Sequence, residues 1–258
     1  QPGRPPKLPE KAHGSWRDRW FDAEFSLDRF EAIVEATDFL AETVPDSFAA
    51  RLAGMGAEPV RAGATYEDSM AAAEQAAADR GWTLLSDSSW PGYSDWPLRV
   101  MEGYLQMAAE AERQLAEPPT HVVLQAGVGG MAAAVAAHVR ATWGEAPRIV
   151  IVEPDAAPAL IESIRAGEIV TTQGPVSAMG RLDCKTASMI ALAGLARDAD
   201  LFVTLGEDEV DLAIAELAAM GLATSPSGGA GLASLLCGLE LGAQARVLTF
   251  LSEGALDG

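Results

Sequence analysis

The chain has 258 residues, of which 49% are hydrophobic and 21% are charged, so it can bury one large core or two small ones. Its net charge of −19 argues against nucleic acid and anionic membrane surfaces as partners, and the sequence contains no apolar run of 18 residues. Two cysteines, Cys184 and Cys237, lack metal-type spacing, and the three histidines are scattered. We therefore expect a cytoplasmic protein without a metal site.

The first part of the chain combines a polar arm with an amphipathic segment. Residues 1–19 are rich in proline and are expected to be mobile. Ser26 begins an apolar pattern with helical spacing that continues to about residue 41. Its apolar positions are Leu27, Phe30, Ile33, Val34 and Leu40.

From Pro45 onward, helical patterns alternate with short apolar runs. "FAARLAGMG" favours a helix and "AEPVRA" a strand. Thr65 is a typical N-cap for a helix that ends at Arg80, before Gly81. "WTLLS" predicts a short buried strand. A long helix is predicted over 97–115, with Pro97 at its first position.

The second half of the chain has a clearer alternation. "THVVLQA", "RIVIVEP", "LFVTL" and "RVLTFLS" are apolar runs of strand length. Helical patterns cover 129–142, 155–166, 186–197, 207–220 and 229–240. This order predicts an α/β fold with a mainly parallel sheet flanked by helices.

The segment "LQAGVGGMAAAVAAHVR", residues 124–140, predicts a strand, a glycine turn and a helix. Gly127, Gly129 and Ala132 fit the dinucleotide pattern G-x-G-x-x-G/A, and Glu153 closes the next strand at the expected distance. A helix N-terminus also favours any other phosphate, and small residues alone allow close packing of a helix on its strand. The motif by itself leaves all three interpretations open.

Five linked motifs indicate a family. They are "SDSSWPGYSDWP" at 86–97, "PTHVVLQAGVGGMAAAV" at 119–135, "VEPDAAPAL" at 152–160, "GRLDCKTAS" at 180–188 and "TSPSGGAGLASLL" at 224–236. In this order and spacing the chain resembles the diaminopropionate ammonia-lyases, over roughly residues 20–258. The resemblance implies the fold-type II architecture of enzymes dependent on pyridoxal 5′-phosphate (PLP), similar to the tryptophan synthase β subunit.

The resemblance also implies how the cofactor is held. Its phosphate would bind the backbone N–H groups of the glycine turn, a mode that needs no lysine cluster in an acidic protein. The matching residues are Gly127, Val128, Gly129, Gly130 and Met131. Ser227 matches the hydroxyl near the pyridine nitrogen; an N-cap for a helix starting near Gly229 is the alternative role.

Asp87 is the candidate catalytic residue. It matches an aspartate that the family uses as an acid or base at the substrate, a role that a carboxyl with a raised pKa in a nearly closed apolar site can fill. Without the resemblance, a turn-forming aspartate is the simpler interpretation. Trp90 and Tyr93, of the same loop, either line the substrate pocket or pack the loop down. Arg181 and Asp183 match a family loop that is expected near the substrate, without assigned roles. Cys184 and Lys185 of the same "GRLDCK" motif receive no role either.

The family binds PLP through a lysine Schiff base, but the lysines here are Lys7, Lys11 and Lys185, none at the matching place. The resemblance puts the missing segment, about 100 residues or one small lobe, between Val44 and Pro45. It is either present in the natural protein and absent from this sequence, or deleted.

We therefore expect an arm (1–19), the first helix of the large domain (20–44), a partial small domain (45–90) and a large phosphate-binding domain (91–258).

The expected function is PLP-dependent α,β-elimination of 2,3-diaminopropionate, or a similar small amino acid, to pyruvate and ammonia by a homodimer. Two alternatives remain at this point. One is a non-catalytic remnant that binds a phosphate ligand, and the other is an NAD(P)-linked dehydrogenase using Gly127, Gly129 and Glu153.

Overall fold

A computed structural model describes residues 37–42, 44 and 46–255. They form two compact units that divide between Leu85 and Ser86. The expected arm and the first part of the predicted helix, residues 26–36, lie outside the described residues. No helix in the part of the chain that the structure describes is long and apolar enough to cross a membrane.

The first unit contains a two-stranded parallel sheet and two helices. Strand β1 (Thr37–Leu40) pairs in register with β2 (Glu58–Arg61), and α1 (Asp46–Gly54) connects them. Helix α2 (Tyr66–Arg80) begins and ends as predicted, with a capping box between Thr65 and Asp68 and with Gly81 at φ 67°.

Two predictions for this unit are wrong. Residues 37–40 form a strand instead of the end of a helix, because they pair with a segment about 20 residues away that helical spacing does not reveal. "WTLLS" has no regular secondary structure and forms no strand ladder with the described residues. Its apolar run satisfied the composition of a strand, while strand pairing depends on a neighbour.

The second unit is built on a four-stranded parallel sheet with the order β5-β4-β3-β6. The strands are β3 (His121–Gln125), β4 (Arg148–Pro154), β5 (Leu201–Leu205) and β6 (Val247–Leu248). The helices are α3 (Asp95–Gln114), α4 (Gly130–Trp143), α5 (Ala159–Ala166), α6 (Met189–Asp198), α7 (Glu207–Ala219) and α8 (Pro226–Leu236). The α/β prediction with a mainly parallel sheet is confirmed.

Alternate residues of the central strands enter two separate apolar cores. Val122 and Leu124 pack with α4 and α6 on one face of the sheet, whereas Val123 packs with α7 and α8 on the other. The same alternation holds in β4, where Ile149 and Val150 enter opposite cores. Because both faces are covered, the strands read as continuous apolar runs in the sequence.

Candidate active site

The candidate site lies at the carboxyl end of β3. From β3 the chain crosses to β4 and then β5 on one side, while β6 pairs with the opposite side of β3. The order of strands therefore reverses between β3 and β6. In open parallel sheets such a reversal opens a crevice at the carboxyl ends of the strands, where ligands bind.

The glycine turn, residues 126–131, joins β3 to α4 in this crevice. Gly129 has φ 98°, in the left-handed region where a side chain is strained, and precedes the first residue of α4. The first backbone N–H groups of a helix have no acceptor within the helix and carry a partial positive charge. The turn and the start of α4 contain no Lys or Arg, so backbone groups are the donors that this turn offers to an anion.

Close packing explains why two of the glycines in the turn have no side chain. A Cβ on Gly127 would lie 3.0 Å from the Leu182 Cα and 3.2 Å from the Arg181 carbonyl oxygen, both in the backbone of another loop. A Cβ on Gly129 would lie 3.2 Å from a Leu160 methyl group. Gly130 differs, since a Cβ there would meet only ordinary contacts at 3.6 Å or more.

The loop that carries Asp87 borders the glycine turn. The Asp87 carbonyl oxygen lies 3.8 Å from the position of a Cβ on Gly130. The Asp87 side chain is exposed, so the described residues do not supply the closed apolar surroundings that the sequence led us to expect. Burial raises the pKa of Tyr104, and the negative charge of Asp87 raises it further. Tyr104, on α3, therefore lies close enough to interact with this carboxylate, a placement that the sequence did not reveal.

Trp90 and Tyr93 fold the same loop onto itself. Their rings stack with centroids 4.3 Å apart and an interplanar angle of 20°, and their backbones exchange two hydrogen bonds. The Tyr93 hydroxyl accepts a hydrogen bond of 3.0 Å from the Ser86 N–H. The two aromatic residues thus brace the loop beside Asp87.

Ser227 lies in the first turn of α8 and is 2% exposed. Its hydroxyl oxygen accepts a hydrogen bond of 3.1 Å from the Arg181 N–H. The N-cap is Ser225 instead, whose hydroxyl accepts from the Gly228 N–H at 2.9 Å, so the interpretation of Ser227 as an N-cap is wrong.

Arg181 is held by Glu253, which follows the last strand. The guanidinium group forms a two-pronged ion pair with the Glu253 carboxylate, and this carboxylate also accepts from the Ser225 hydroxyl. Glu253 therefore joins the "GRLDCK" loop to the start of α8. The sequence singled out Arg181 as a substrate-facing residue, but did not reveal its partner 72 residues away.

Gln125, at the end of β3, links this strand to the start of α8 and to the segment that follows β6. Its amide nitrogen donates to the Gly228 and Phe250 carbonyl oxygens, each at 2.9 Å, and to the Ser252 hydroxyl at 3.0 Å. The ends of β3 and β6 and the start of α8 are thereby held together. Ser252 escaped the sequence analysis, because only the fold brings it to Gln125, 127 positions away.

Glu153 does not face the crevice. Its side chain is 0% exposed, and its two carboxylate oxygens accept hydrogen bonds from the Leu160 and Ile161 N–H groups at 2.7 and 2.8 Å. Burial raises its pKa to about 7, against the opposing effect of these two donors. A buried carboxylate that is already engaged has no oxygen for a ribose hydroxyl, which contradicts the dinucleotide interpretation.

Comparison with known proteins identifies the family. A family model described as "Pyridoxal-phosphate dependent enzyme" matches residues 32–253, which is most of the chain. The chain belongs to this family of pyridoxal-phosphate dependent enzymes. The predicted fold type and the cofactor PLP are confirmed with it.

Individual relatives cover different parts of the chain. The diaminopropionate ammonia-lyase of Salmonella typhimurium is 41% identical over 113 residues, which are 42% of this chain and 28% of that protein. A serine dehydratase-like protein of Mus musculus is 28% identical over 225 residues, 85% of this chain and 66% of that protein.

A solved structure extends the similarity to the fold. The diaminopropionate ammonia lyase of Escherichia coli, in complex with an aminoacrylate-PLP azomethine reaction intermediate, matches with a TM-score of 0.79 at 26% identity. The match covers 88% of this chain and 64% of that one. This chain thus spans less than two thirds of the length of each of these three relatives.

The phosphate end of PLP fits the glycine turn. Fixed backbone donors and the tight approach at Gly127 suit an anion that is held without cationic side chains. Two hydroxyl groups, those of Ser227 and Ser252, lie in the elements beside the turn and could face the pyridine ring.

The other end of the cofactor needs a lysine, and the described residues offer one candidate. Lys185 is the single lysine in that part of the chain, and its side chain is 17% exposed. Its ammonium group donates to the Ala156 and Pro175 carbonyl oxygens at 2.9 Å each, and to the Asp183 carboxylate at 2.5 Å. These three acceptors already engage the amine and tie it to the surrounding backbone and to Asp183.

The "GRLDCK" loop therefore has a structural role next to the turn. Lys185 ties it to the segment after β4, Asp183 also accepts from the Ser177 N–H at 3.3 Å, and Cys184 is buried with its sulfur 3.1 Å from the position of a Cβ on Gly127. A direct contact of Arg181 or Asp183 with substrate remains a prediction.

Proposed function

We propose that this chain carries the phosphate-binding and proton-transfer parts of a PLP-dependent ammonia-lyase, with 2,3-diaminopropionate as the favoured substrate. The single observation that carries the proposal is the position of Asp87 beside the glycine turn, with its carbonyl oxygen bordering Gly130. The similarity to diaminopropionate ammonia-lyases supports the choice of substrate.

Each residue has a distinct task in this proposal. Backbone N–H groups of residues 127–131 would hold the cofactor phosphate, and the Ser227 hydroxyl would serve the pyridine nitrogen. Asp87 exchanges a proton with the substrate, either at Cα or at the departing amine. Trp90 and Tyr93 brace the loop that carries this carboxylate. When bound, PLP draws electrons away from Cα and makes its proton acidic.

The substitution of Asp87 tests the proposal. Asp87→Asn keeps the shape of the side chain and removes the proton acceptor, so we expect kcat for release of pyruvate and ammonia to fall by about 100-fold or more, while PLP affinity is unchanged. Asp95→Asn is the matched control, since Asp95 is an exposed aspartate that begins the helix after the same loop. Equal turnover of Asp87→Asn and the control would remove Asp87 from the reaction.

A second candidate function is reversible binding of PLP or a similar phosphate ligand without catalysis. The engagement of Lys185 by three acceptors favours it. This function predicts saturable PLP binding by the purified chain with no release of pyruvate from 2,3-diaminopropionate. Turnover by the same preparation would exclude it.

The assembly and location of the chain stay as predictions from the resemblance. We propose a homodimer, in the cytoplasm, that binds a small amino acid and neither nucleic acid nor membrane. Light scattering of the purified protein during size-exclusion chromatography measures the first point directly, since a dimer has twice the mass of 26.9 kDa.

A further inference from the structure

Two serines, Ser89 and Ser188, form a buried contact between the Asp87 loop and the glycine turn. They are 4% and 0% exposed, and their hydroxyl oxygens lie 2.8 Å apart. The Ser188 hydroxyl also accepts a hydrogen bond of 3.0 Å from the Ser89 N–H. The two residues are 99 positions apart in the sequence, so only the fold brings them together.

Ser89, not the N-cap residue Ser188, supplies the capping hydrogen bonds at the start of α6. Ser188 is the N-cap of this helix, yet its side chain accepts no hydrogen bond from the helix. Instead, the Met189 N–H donates to the Ser89 carbonyl oxygen at 3.0 Å, and the Ile190 N–H donates to the Ser89 hydroxyl at 2.9 Å. A residue from the Asp87 loop thereby satisfies two N–H groups of the first turn of α6.

The same pair reaches the glycine turn. The Ser188 N–H donates to the Val128 carbonyl oxygen at 3.0 Å. In the first turn of α6, the Ala191 Cβ lies 3.3 Å from the position of a Cβ on Gly129. The chain of contacts thus runs from Asp87, through Ser89 two residues later, to Ser188 and then to the backbone that binds phosphate in the proposed function.

We infer that Ser89 and Ser188 are positioning residues that fix Asp87 relative to the glycine turn, and this inference rests on the proposed function of both. The pair sets the distance between the bound phosphate and the group that exchanges the proton. Asp87 lies in the same loop, two residues before Ser89. Small errors in such a distance are costly for catalysis, since proton transfer requires hydrogen-bonding reach.

Hydrogen exchange of the unliganded full chain tests the positioning directly. Ser188→Ala leaves the buried Ser89 N–H without an acceptor, so we expect the amides of residues 86–94 to exchange about tenfold faster. Ser89→Ala is the second variant. It leaves the Ser188 hydroxyl able to rotate and cap α6 itself, so α6 keeps its protection while the loop loses it.

Ser234→Ala provides the matched control. Ser234 is also a buried serine, but its hydroxyl donates to the Gly231 carbonyl oxygen within its own helix at 2.8 Å. We expect loop exchange at the wild-type rate in this variant. Wild-type exchange of residues 86–94 in both Ser89→Ala and Ser188→Ala, or an equal acceleration throughout the second unit, would overturn the inference.

Kinetics separate positioning from the proposed function. In the two serine variants we expect kcat to fall about tenfold, with KM and PLP affinity close to wild type. Unchanged kcat alongside a loosened loop would overturn the positioning role. If the wild-type chain binds no PLP, the proposed function fails, and the exchange experiment still decides whether the pair holds the loop against the turn.

Discussion

The two units of the chain differ sharply in how they bury their side chains. The second unit has two apolar cores on opposite faces of a four-stranded sheet. Among the described residues up to Leu85, only Ala41 and Ser69 are buried, and the sheet has two strands. The glycine turn, Asp87 and the serine pair all belong to the well-packed unit, whose rigid elements can hold a site at fixed distances.

The two units also differ in the groups that they offer to a PLP enzyme. The glycine turn of the second unit offers backbone donors for an anion, whereas residues 37–85 contain no lysine. The family resemblance places the missing segment within the first unit. Three experiments test this contrast between the units.

The largest expected effect concerns Glu153, in the core of the second unit. Its pKa is about 7 in the folded chain, against an ordinary value of 4.5, so folding favours the protonated carboxyl. Its contribution to stability is therefore complete below about pH 4.5 and is lost as the pH rises through 7, by about 3 kcal/mol in all. Urea unfolding of the second unit between pH 4.5 and 8 measures this loss.

Glu153→Gln is the control for that titration, because an amide stays neutral throughout the range. We expect the free energy of unfolding of the second unit to vary less with pH in this variant. Hydrogen exchange of the first unit should respond to pH in the same way in wild type and in Glu153→Gln. Identical pH profiles for Glu153→Gln and wild type would show that Glu153 does not titrate in this range.

The next effect concerns the packing of the glycine turn. Gly127→Ala places a methyl group within 3.2 Å of two backbone atoms of the "GRLDCK" loop, and such overpacking costs about 2 kcal/mol. We expect this variant to lower the free energy of unfolding of the second unit and to bind PLP more weakly. Gly130→Ala is the matched control, since its methyl group has room; equal stability of the two variants would contradict the packing geometry.

The smallest effect belongs to the first unit. The Arg61 guanidinium donates to the Ala41 and Val44 carbonyl oxygens at 2.9 and 2.5 Å and to the Asp46 carboxylate at 2.8 Å. Arg61→Met removes these bonds, and we expect a loss of about 1 kcal/mol. It should appear as faster hydrogen exchange in residues 37–61, with the second unit and the Arg51→Met control unchanged. Faster exchange at the glycine turn would instead link the two units.

The sequence predicted those elements whose patterns are local. The apolar runs of β3 and β4, and the cap residues Thr65 and Gly81, need no distant partner, and the structure has them as predicted. Residues 37–40 were assigned to a helix because the strand depends on pairing with β2. In the candidate site, too, local motifs were predictable and contacts between distant residues were not.

Motif spacing identified the glycine turn and Asp87, which lie together in the fold. It did not reveal that Ser89 contacts Ser188, nor that Glu253 pairs with Arg181, because these contacts join residues 99 and 72 positions apart. The burial of Glu153 escaped prediction for a related reason. Whether a strand-terminal carboxylate faces the crevice or a helix N-terminus depends on how α5 packs against β4.

The most direct test of the account is a PLP titration of the purified chain, followed by borohydride reduction and peptide mapping. We predict saturable binding that inorganic phosphate competes away and that Gly127→Ala weakens, with no PLP attached to Lys185 after reduction. Absence of binding would contradict the phosphate site, and reduced PLP on Lys185 would contradict the structural role of that lysine.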